Sequence, residues 1–447
     1  MYLNGNIHKF QGPPRLKKLA PLRGMMKLAK RVQLPATRLL EDLCTRSNNL
    51  YNVAMYYTRQ EFFHLGNWLR YGDLYFMLRF HHNYAELDDL AGSQVPQQVL
   101  KQVDKAWKGF FNAMKAWRDE PGKFCGKPRP PGYRKKGGKN VVTFTGQQSR
   151  IKDGHCILTR KMIGKGMVPV PTGIEEANLH CVRIVPHGDR YMFEIVHEVE
   201  CKDLGLDKGN CLGLDIGLNN LVTTSDGKIV KGGAVKSTNQ YYNKQLAKQK
   251  SILKKVNDED TSKGIETLTR KRNNKIASEL HAASRDVINH CIENDVGTMF
   301  IGYNEGWKDN INIGKRNNQN FVQVPFLQFV EQLEYKAMLV GIDVYRITEE
   351  FTSQSCSRCG RVKKANRKHR GLYICDKCSL VINADVNGAR NIEKKGLREQ
   401  QPVVEAVGKV ADRGGLDPPV GTTAATPHVP AKPPHSRRDS SLHFQPW

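Results

Sequence analysis

Four cysteines stand at a spacing that metal chemistry recognises: Cys356 and Cys359, then fifteen residues, then Cys375 and Cys378. Each C-x2-C pair can turn two thiolates toward one ion, with Gly360 helping the first turn, and four thiolates suit the tetrahedral preference of Zn2+. A shell closed by four protein ligands leaves no position for a substrate, so the Zn2+ expected here is structural. Two redox dithiols are the competing reading of the same pairs. The other seven cysteines, Cys44, Cys125, Cys156, Cys181, Cys201, Cys211 and Cys291, are scattered, and an odd total of eleven argues against a disulfide framework.

The second chemical set is acidic. Asp215 ends the apolar run LGLDIG, where a carboxylate is rare unless it is paired or bound to metal, and Gly217 lets the backbone turn away from it. Asp385 stands in NADVNGARNI, in the first turn of a predicted helix. Taken singly, Asp215 reads as a turn residue and Asp385 as a charge that stabilises a helix N-terminus. Taken together, carboxylates from separate elements are what two-Mg2+ hydrolysis of a phosphodiester requires, one ion activating water and the other stabilising the leaving oxygen. Three glutamates could complete such a set: Glu349 and Glu350 in ITEEFTSQSC, and Glu305 in FIGYNEGWK. A regular strand would point Glu349 and Glu350 to opposite faces.

The surrounding chain has 447 residues with 70 Lys+Arg against 44 Asp+Glu, a formal net charge of +26. That excess calls for a polyanionic partner, nucleic acid or an anionic membrane. No apolar run is long enough to span a bilayer, and MYLNGNIHKF lacks the apolar core of a signal peptide, so the expectation is a cytoplasmic, nucleoid-associated protein. Pro35 opens a helical stretch in which Leu39, Leu43, Leu50, Ala54 and Tyr57 share a face, and a second helix from about Pro96 carries Val99, Val103, Trp107, Phe110, Met114 and Trp117. The run PGKFCGKPRPPGYRKKGGKN (121–140) excludes helix, and Lys127, Arg129, Arg134, Lys135 and Lys136 suit contact with phosphates; a solvated basic loop is the plain alternative. Alternating, β-branched segments from 140 to 205 predict a small barrel or sheet, joined by part of the first 30 residues. From 211 the order is strand, hairpin, strand, helices, strand, helix, strand, a mixed α/β sheet. After about 396 the Gly-, Pro-, Ala- and Thr-rich composition predicts a disordered tail.

GLDIGLNNLVTTSDG, FTSQSCSRCG, YICDKC and NADVNGARNI, in this order, resemble the C-terminal half of TnpB, the transposon-encoded RNA-guided nuclease family related to type V CRISPR effectors and Fanzor. GKPRPPGYRKKGGKNVVTFTG resembles the run that precedes the family's β-barrel. The likeness covers most of 30–396 and is densest from 211 onward. It implies an α+β multidomain fold, with a β-barrel-like module interrupted by a helical insertion and followed by an RNase H-like (RuvC) α/β domain that carries a zinc ribbon. The implied boundaries are 1–34 and 130–205 for the wedge-like, nucleic-acid-binding barrel and 35–129 for the helical insertion. The nuclease takes 206–396, with its ribbon at 353–381, and the tail takes 397–447. By the resemblance, Asp215 and Asp385 are the first and last Mg2+ ligands, and the four cysteines hold Zn2+. The sequence departs from the family at the middle acid: Gly302 stands at the usual glutamate position, and Glu349, spaced from Thr352 and Ser353 as in relatives with a relocated glutamate, is the preferred third ligand over Glu305 and Glu350. The implied partners are a guide RNA encoded near the protein's own gene and a target double-stranded DNA chosen by pairing plus a short flanking motif. The protein would act as a monomer without a membrane. Two rivals share most of these features: an RNA-independent RNase H-like transposase or resolvase, and an RNA-guided DNA-binding regulator with a dead nuclease site.

Overall fold

The fold is known from a computed structural model, which describes residues 24–158, 168–171, 173–256, 261–304, 306, 314–369 and 371–400. The first half opens with strand β1 (Met25–Pro35), continues through helices α1 (Arg38–Leu65), α2 (Tyr71–Leu78), α3 (His82–Ala91) and α4 (Gln94–Asp119), and returns to strands. These are β2 (Val142–Thr145), β3 (Ser149–Lys152), β4 (His155–Leu158), β5 (Val168–Pro169), β6 (Leu179–His187) and β7 (Arg190–Glu200). They form a four-stranded sheet in the order β1-β7-β6-β2 and a three-stranded sheet in the order β3-β4-β5. β1 pairs with β7 along its whole length, Met25 opposite Glu200 and Pro35 opposite Arg190, so the chain before the helices and the chain after them close one ladder.

One apolar core runs through both helices and sheet. Leu43, Leu50 and Met55 of α1 and Val99, Val103 and Trp107 of α4 belong to the same buried cluster as Val142, Phe144, Phe193 and Ile195. Most of the helical stripe read from the sequence is therefore core, each such buried side chain contributing roughly 1.5–3 kcal/mol; Leu39 is exposed, and Met114 and Trp117 are half-buried outside this cluster. Helices α2 and α3 were not foreseen; their buried positions, Leu74 and Leu78, then Tyr84, Leu87 and Ala91, are too few for a periodic signal.

The second half forms a five-stranded sheet in the order β10-β9-β8-β11-β12, from β8 (Cys211–Ile216), β9 (Asn220–Thr224), β10 (Ile229–Lys231), β11 (Thr298–Gly302) and β12 (Asp343–Ile347). β8 lies antiparallel to β9 and parallel to β11, and β11 is parallel to β12. Between β10 and β11 the chain makes α5 (Gly233–Val256) and α6 (Lys263–Glu293), where the sequence predicted helices. Between β11 and β12 come α7 (Lys315–Val322) and α8 (Phe326–Leu339). Leu212, Leu214 and Ile216 of β8 face α6 and α8 and share their core with Leu280, Val287, Phe329 and Leu333. The period of two along a strand sends the intervening Cys211, Gly213 and Asp215 to the other face. That face is covered by α9 (Ala384–Gln400), whose Ile392 packs on Phe300, Tyr345 and Ile347.

Between β12 and α9 lies a small three-stranded unit, β13 (Arg367–His369), β14 (Leu372–Ile374) and β15 (Val381–Ile382). The two halves are joined where Asp189, in the β6–β7 turn, accepts hydrogen bonds from Arg270 Nε (2.7 Å) and Thr267 Oγ1 (3.0 Å) of α6. No described helix is long and apolar enough to cross a membrane. Residues 1–23 of the expected barrel module, Glu305, and 401–447 of the expected tail lie outside the described residues.

Candidate active site

Asp215, Glu349 and Asp385 line one pocket of about 560 Å³, together with Asn220, Thr352, Ser353 and Arg367. Three elements deliver them. Asp215 is the fifth residue of β8 on the α9 face; Glu349 lies two residues beyond the end of β12; Asp385 is in the first turn of α9. Strands β8 and β12 flank β11 on either side, so their C-terminal ends open on the same edge of the sheet.

Glycines permit this approach. A Cβ on Gly388 would come within 2.7 Å of Asp215 Oδ2 and crowd that carboxylate, and one on Gly213 would meet the Ala389 backbone O of α9. A Cβ on Gly302 would come within 2.8 Å of Glu349 Oε1 and 2.5 Å of Ile392 Cδ1. The absence of a side chain at the end of β11 is thus the space into which Glu349 reaches.

The helix-cap reading of Asp385 is replaced by a neighbour. Asn383 Oδ1 accepts from the backbone N–H of Asp385 (2.9 Å) and of Val386 (3.3 Å), which satisfies the helix start. The Asp385 carboxylate accepts instead from Asn220 Nδ2 (2.8 Å) and from Arg367 Nη2 (3.2 Å). Neither partner was singled out in the sequence; Arg367 was visible only as one cation in the basic run between the cysteine pairs.

The electrostatics are those of crowded acids. Burial pushes the Asp215 carboxyl well above the usual carboxylate range, the neighbouring Glu349 and Asp385 push it further, and Arg367 opposes them. Burial also raises Glu349 from 4.5 to about 7. Its Oε1 is buried without a hydrogen-bond partner, although its backbone N–H is fixed by Asn304 Oδ1 (2.9 Å). Glu350, exposed, opens on a different cleft. A buried acceptor with no donor, beside two further carboxylates, is an arrangement that could hold a cation.

The four cysteines meet as their spacing predicts. Their Sγ atoms all lie within 4.8 Å of one another, with Cys356 to Cys378 at 3.5 Å and Cys359 to Cys375 at 3.6 Å. They form most of a small core with Tyr373, Leu380 and Ala384. Asn387 and Asn391 of α9 bind this unit: Asn387 accepts from Ser357 N (2.9 Å) and donates to Ser355 O (2.7 Å), and Asn391 donates to Ser355 O (2.7 Å) and Thr352 O (2.8 Å).

The basic run is pinned by its backbone along α1. Pro131 O accepts from Arg59 (2.6 Å), Arg134 O from Asn52 (3.1 Å), Lys135 O from Asn48 (3.0 Å), and Asn140 N donates to Cys44 O (2.9 Å). Lys127, Arg129, Arg134, Lys135 and Lys136 are all exposed, with Arg134 also resting on the Tyr51 ring.

Two family descriptions match this chain: a probable transposase family, OrfB_IS605, over residues 195–308, and the Cas12f1-like TNB domain over residues 326–392. TnpB-like protein ORF457 of Acidianus two-tailed virus is 26% identical over 410 residues, covering 80% of this chain and 84% of its own. The Escherichia coli (strain K12) protein named "Putative RNA-guided DNA endonuclease InsQ" is 24% identical, covering 68% of this chain and 74% of its own. These matches support a TnpB family protein related to type V effectors. A third relative, the CRISPR-associated endodeoxyribonuclease Cas12f1 of Sulfoacidibacillus thermotolerans, is 34% identical over 130 residues, 29% of each chain. A solved Cas12f1–sgRNA–target DNA complex superimposes with a TM-score of 0.49 at 16% identity, covering 79% of this chain and 82% of that one.

Proposed function

We propose that this protein is an RNA-guided DNA endonuclease whose RuvC-type site hydrolyses phosphodiesters at Asp215, Glu349 and Asp385. The observation that carries the reading is the pocket itself, in which carboxylates from β8, the β12 loop and α9 converge although their mutual repulsion is costly. A bound cation makes that arrangement favourable with all three acids ionised. Among the described residues, only the four cysteines form a group of three or more ligand side chains within 4.8 Å of one another. The three acids line one pocket of about 560 Å³, and our reading is that they hold a pair of Mg2+ ions about 4 Å apart. Bound there, the ions would supply the activated water and the stabilised leaving oxygen. The chain's own contribution is to hold the three carboxylates apart, with Asn220 orienting Asp385 and Arg367 placed to meet phosphate charge. The four cysteines would hold a structural Zn2+. A basic surface including Lys127, Arg129, Arg134, Lys135 and Lys136 would bind guide RNA and heteroduplex, with the 1–34 and 130–205 module and the 35–129 helices forming the recognition half.

The test is to purify the protein with its RNA, sequence that RNA, and present a matching duplex with Mg2+. Cutting that disappears when the RNA is digested supports the reading. Cutting that survives RNA removal favours the transposase or resolvase rival, and binding without cutting favours the regulator.

Gly388→Ala provides a sharper check on the geometry. Glycine to alanine inside a helix ordinarily stabilises by roughly 1 kcal/mol. Here the added methyl strikes Asp215 Oδ2, so cleavage should fall by roughly 100-fold while the protein stays folded. Wild-type cleavage by this variant would mean that α9 and β8 do not meet as described.

The Glu349 carboxyl gives a pH signature. In the metal-free protein its raised value means that the folded state holds the proton more tightly than the unfolded chain does. Its contribution to stability is full below its ordinary value of 4.5 and is lost as pH rises through about 7. The loss is on the order of 3 kcal/mol. Glu349→Gln should therefore melt like wild type in acid and at higher temperature above about pH 8 without metal, and should not cut DNA. Glu350→Gln should do neither, and Glu305→Gln is the companion variant. Activity lost only in Glu305→Gln would move the third ligand there.

A further inference from the structure

Glu349 lies two residues beyond β12, where the ladder no longer fixes the direction of a side chain. Its carboxylate has no hold of its own at Oε1, which is buried without a hydrogen-bond partner. The aim of this acid therefore rests on its backbone. Strand pairing continues one residue past β11, with Tyr303 N donating to Ile347 O (2.9 Å). The next link is made by a side chain: Asn304 Oδ1 accepts from Glu349 N (2.9 Å). The carbonyl of the same glutamate is fixed within the turn, accepting from Thr352 N (3.2 Å) and Thr352 Oγ1 (2.9 Å). Helix α9 holds the turn at both ends, Lys395 Nζ donating to Thr348 O (2.9 Å) and Asn391 Nδ2 to Thr352 O (2.8 Å). Of these four residues, Asn304 alone ties the turn to the end of β11, where Gly302 leaves the space that the carboxylate enters.

We propose that Asn304 is the positioning residue for Glu349: its Oδ1 stands where a continuing strand would supply a carbonyl, and it sends the glutamate side chain over Gly302 into the acid pocket. This assignment rests on the reading of the three acids as the metal-binding site of a nuclease. Asn304 touches neither metal nor DNA in this role and acts only through Glu349. What the role requires is an acceptor at that reach. Aspartate supplies one and should serve; alanine and leucine supply none. Without the acceptor, the Glu349 N–H is left to seek water, and the turn that carries the carboxylate pivots away from β11 with it. The contrast with Asn220 is one of direction, since Asn220 Nδ2 donates to the Asp385 carboxylate itself, whereas Asn304 Oδ1 accepts from the backbone of its acid.

The probe is Mn2+ alone, titrated into the full chain with its copurified RNA and read from the electron paramagnetic resonance of the free ion. Asp215→Asn, treated identically, gives the ions held elsewhere, and the difference counts those held by the acids. Asn304→Ala should bind these ions about ten-fold more weakly, and Asn304→Asp should retain them. The Mg2+ concentration for half-maximal cleavage should rise in the same proportion for the alanine variant, with target binding unchanged. If Asn304→Ala does not fold, Asn304→Leu, similar in size and without an acceptor, takes its place with the same expectation. If neither folds, Asn304 serves folding and the proposal fails. Wild-type Mn2+ affinity in the folded variant overturns it. So does an aspartate variant as weak as alanine, which would assign the amide N–H rather than the oxygen. The two readings fail separately. Acid-dependent Mn2+ binding that drops in Asn304→Ala, in a protein that never cleaves DNA, sinks the nuclease reading and leaves the role of Asn304 standing. Cleavage that needs Asp215 and is indifferent to Asn304 does the reverse.

Discussion

Asp215→Asn should abolish DNA cleavage, leave target binding intact, and make the metal-free protein harder to unfold at neutral pH. The first effect follows from losing a ligand that faces both other acids; forfeiting several kcal/mol of charge stabilisation in the transition state corresponds to at least ~1000-fold in rate. The second follows because the cations proposed to hold guide RNA and heteroduplex sit in the run pinned along α1 and not on β8. The third is less intuitive. Without metal, an ionised Asp215 pays for its burial and for repulsion from Glu349 and Asp385, whereas the neutral amide pays for neither. Added Mg2+ should reverse the order, since it binds only the folded wild type and stabilises by mass action. Thermal unfolding with and without Mg2+, beside a cleavage assay, reads all three. A variant that cuts normally, or one whose stability is indifferent to Mg2+ in the same way as wild type, would remove Asp215 from the site.

The elements most legible in the sequence were those whose pattern is purely local. β7 matches the alternating run RYMFEIVHEVE from end to end, and the knuckle cysteines meet because two-residue spacing constrains them on its own. Asp215 stood out because a carboxylate in the apolar run LGLDIG is rare unless paired or metal-bound, although alone it also reads as a turn residue. Arg367 and Asn220 were not, since an arginine in a basic run and an asparagine in a hairpin carry no local signal and acquire meaning only when Asp385 lies between them. The same holds for Gly302 and Gly388. As residues they look like a missing ligand and a weak helix position; in space each is a bare site that another segment must approach. Asn383 shows the converse, as its cap relieves Asp385 of the plain role that position suggested. The small barrel or sheet expected from 140–205 is made, among the described residues, of strands from two sheets, since strand pattern fixes which face is buried and not which strands pair.

Cys359→Ser, or removal of zinc by a chelator, should unfold the cysteine unit and take cleavage with it. Apart from the four cysteines, its buried core holds only Tyr373, Leu380 and Ala384, too little apolar surface to order three strands of two or three residues. Structural zinc sites in small peptides supply an apparent binding energy of roughly 10–16 kcal/mol, which is folding energy where the core is this thin. The consequence for the acids is mechanical. Asn387 and Asn391 tie α9 to Ser355, Ser357 and Thr352, and Arg367 of β13 reaches Asp385, so melting the unit releases both the helix that carries one acid and the turn that carries another. Zinc content, hydrogen exchange across 353–381 and cleavage should therefore fall together, while exchange in β1, β6 and β7, which share the other core, stays as in wild type. A zinc-free variant with an ordered 353–381 segment and full activity would show that the cysteines hold the unit together without metal.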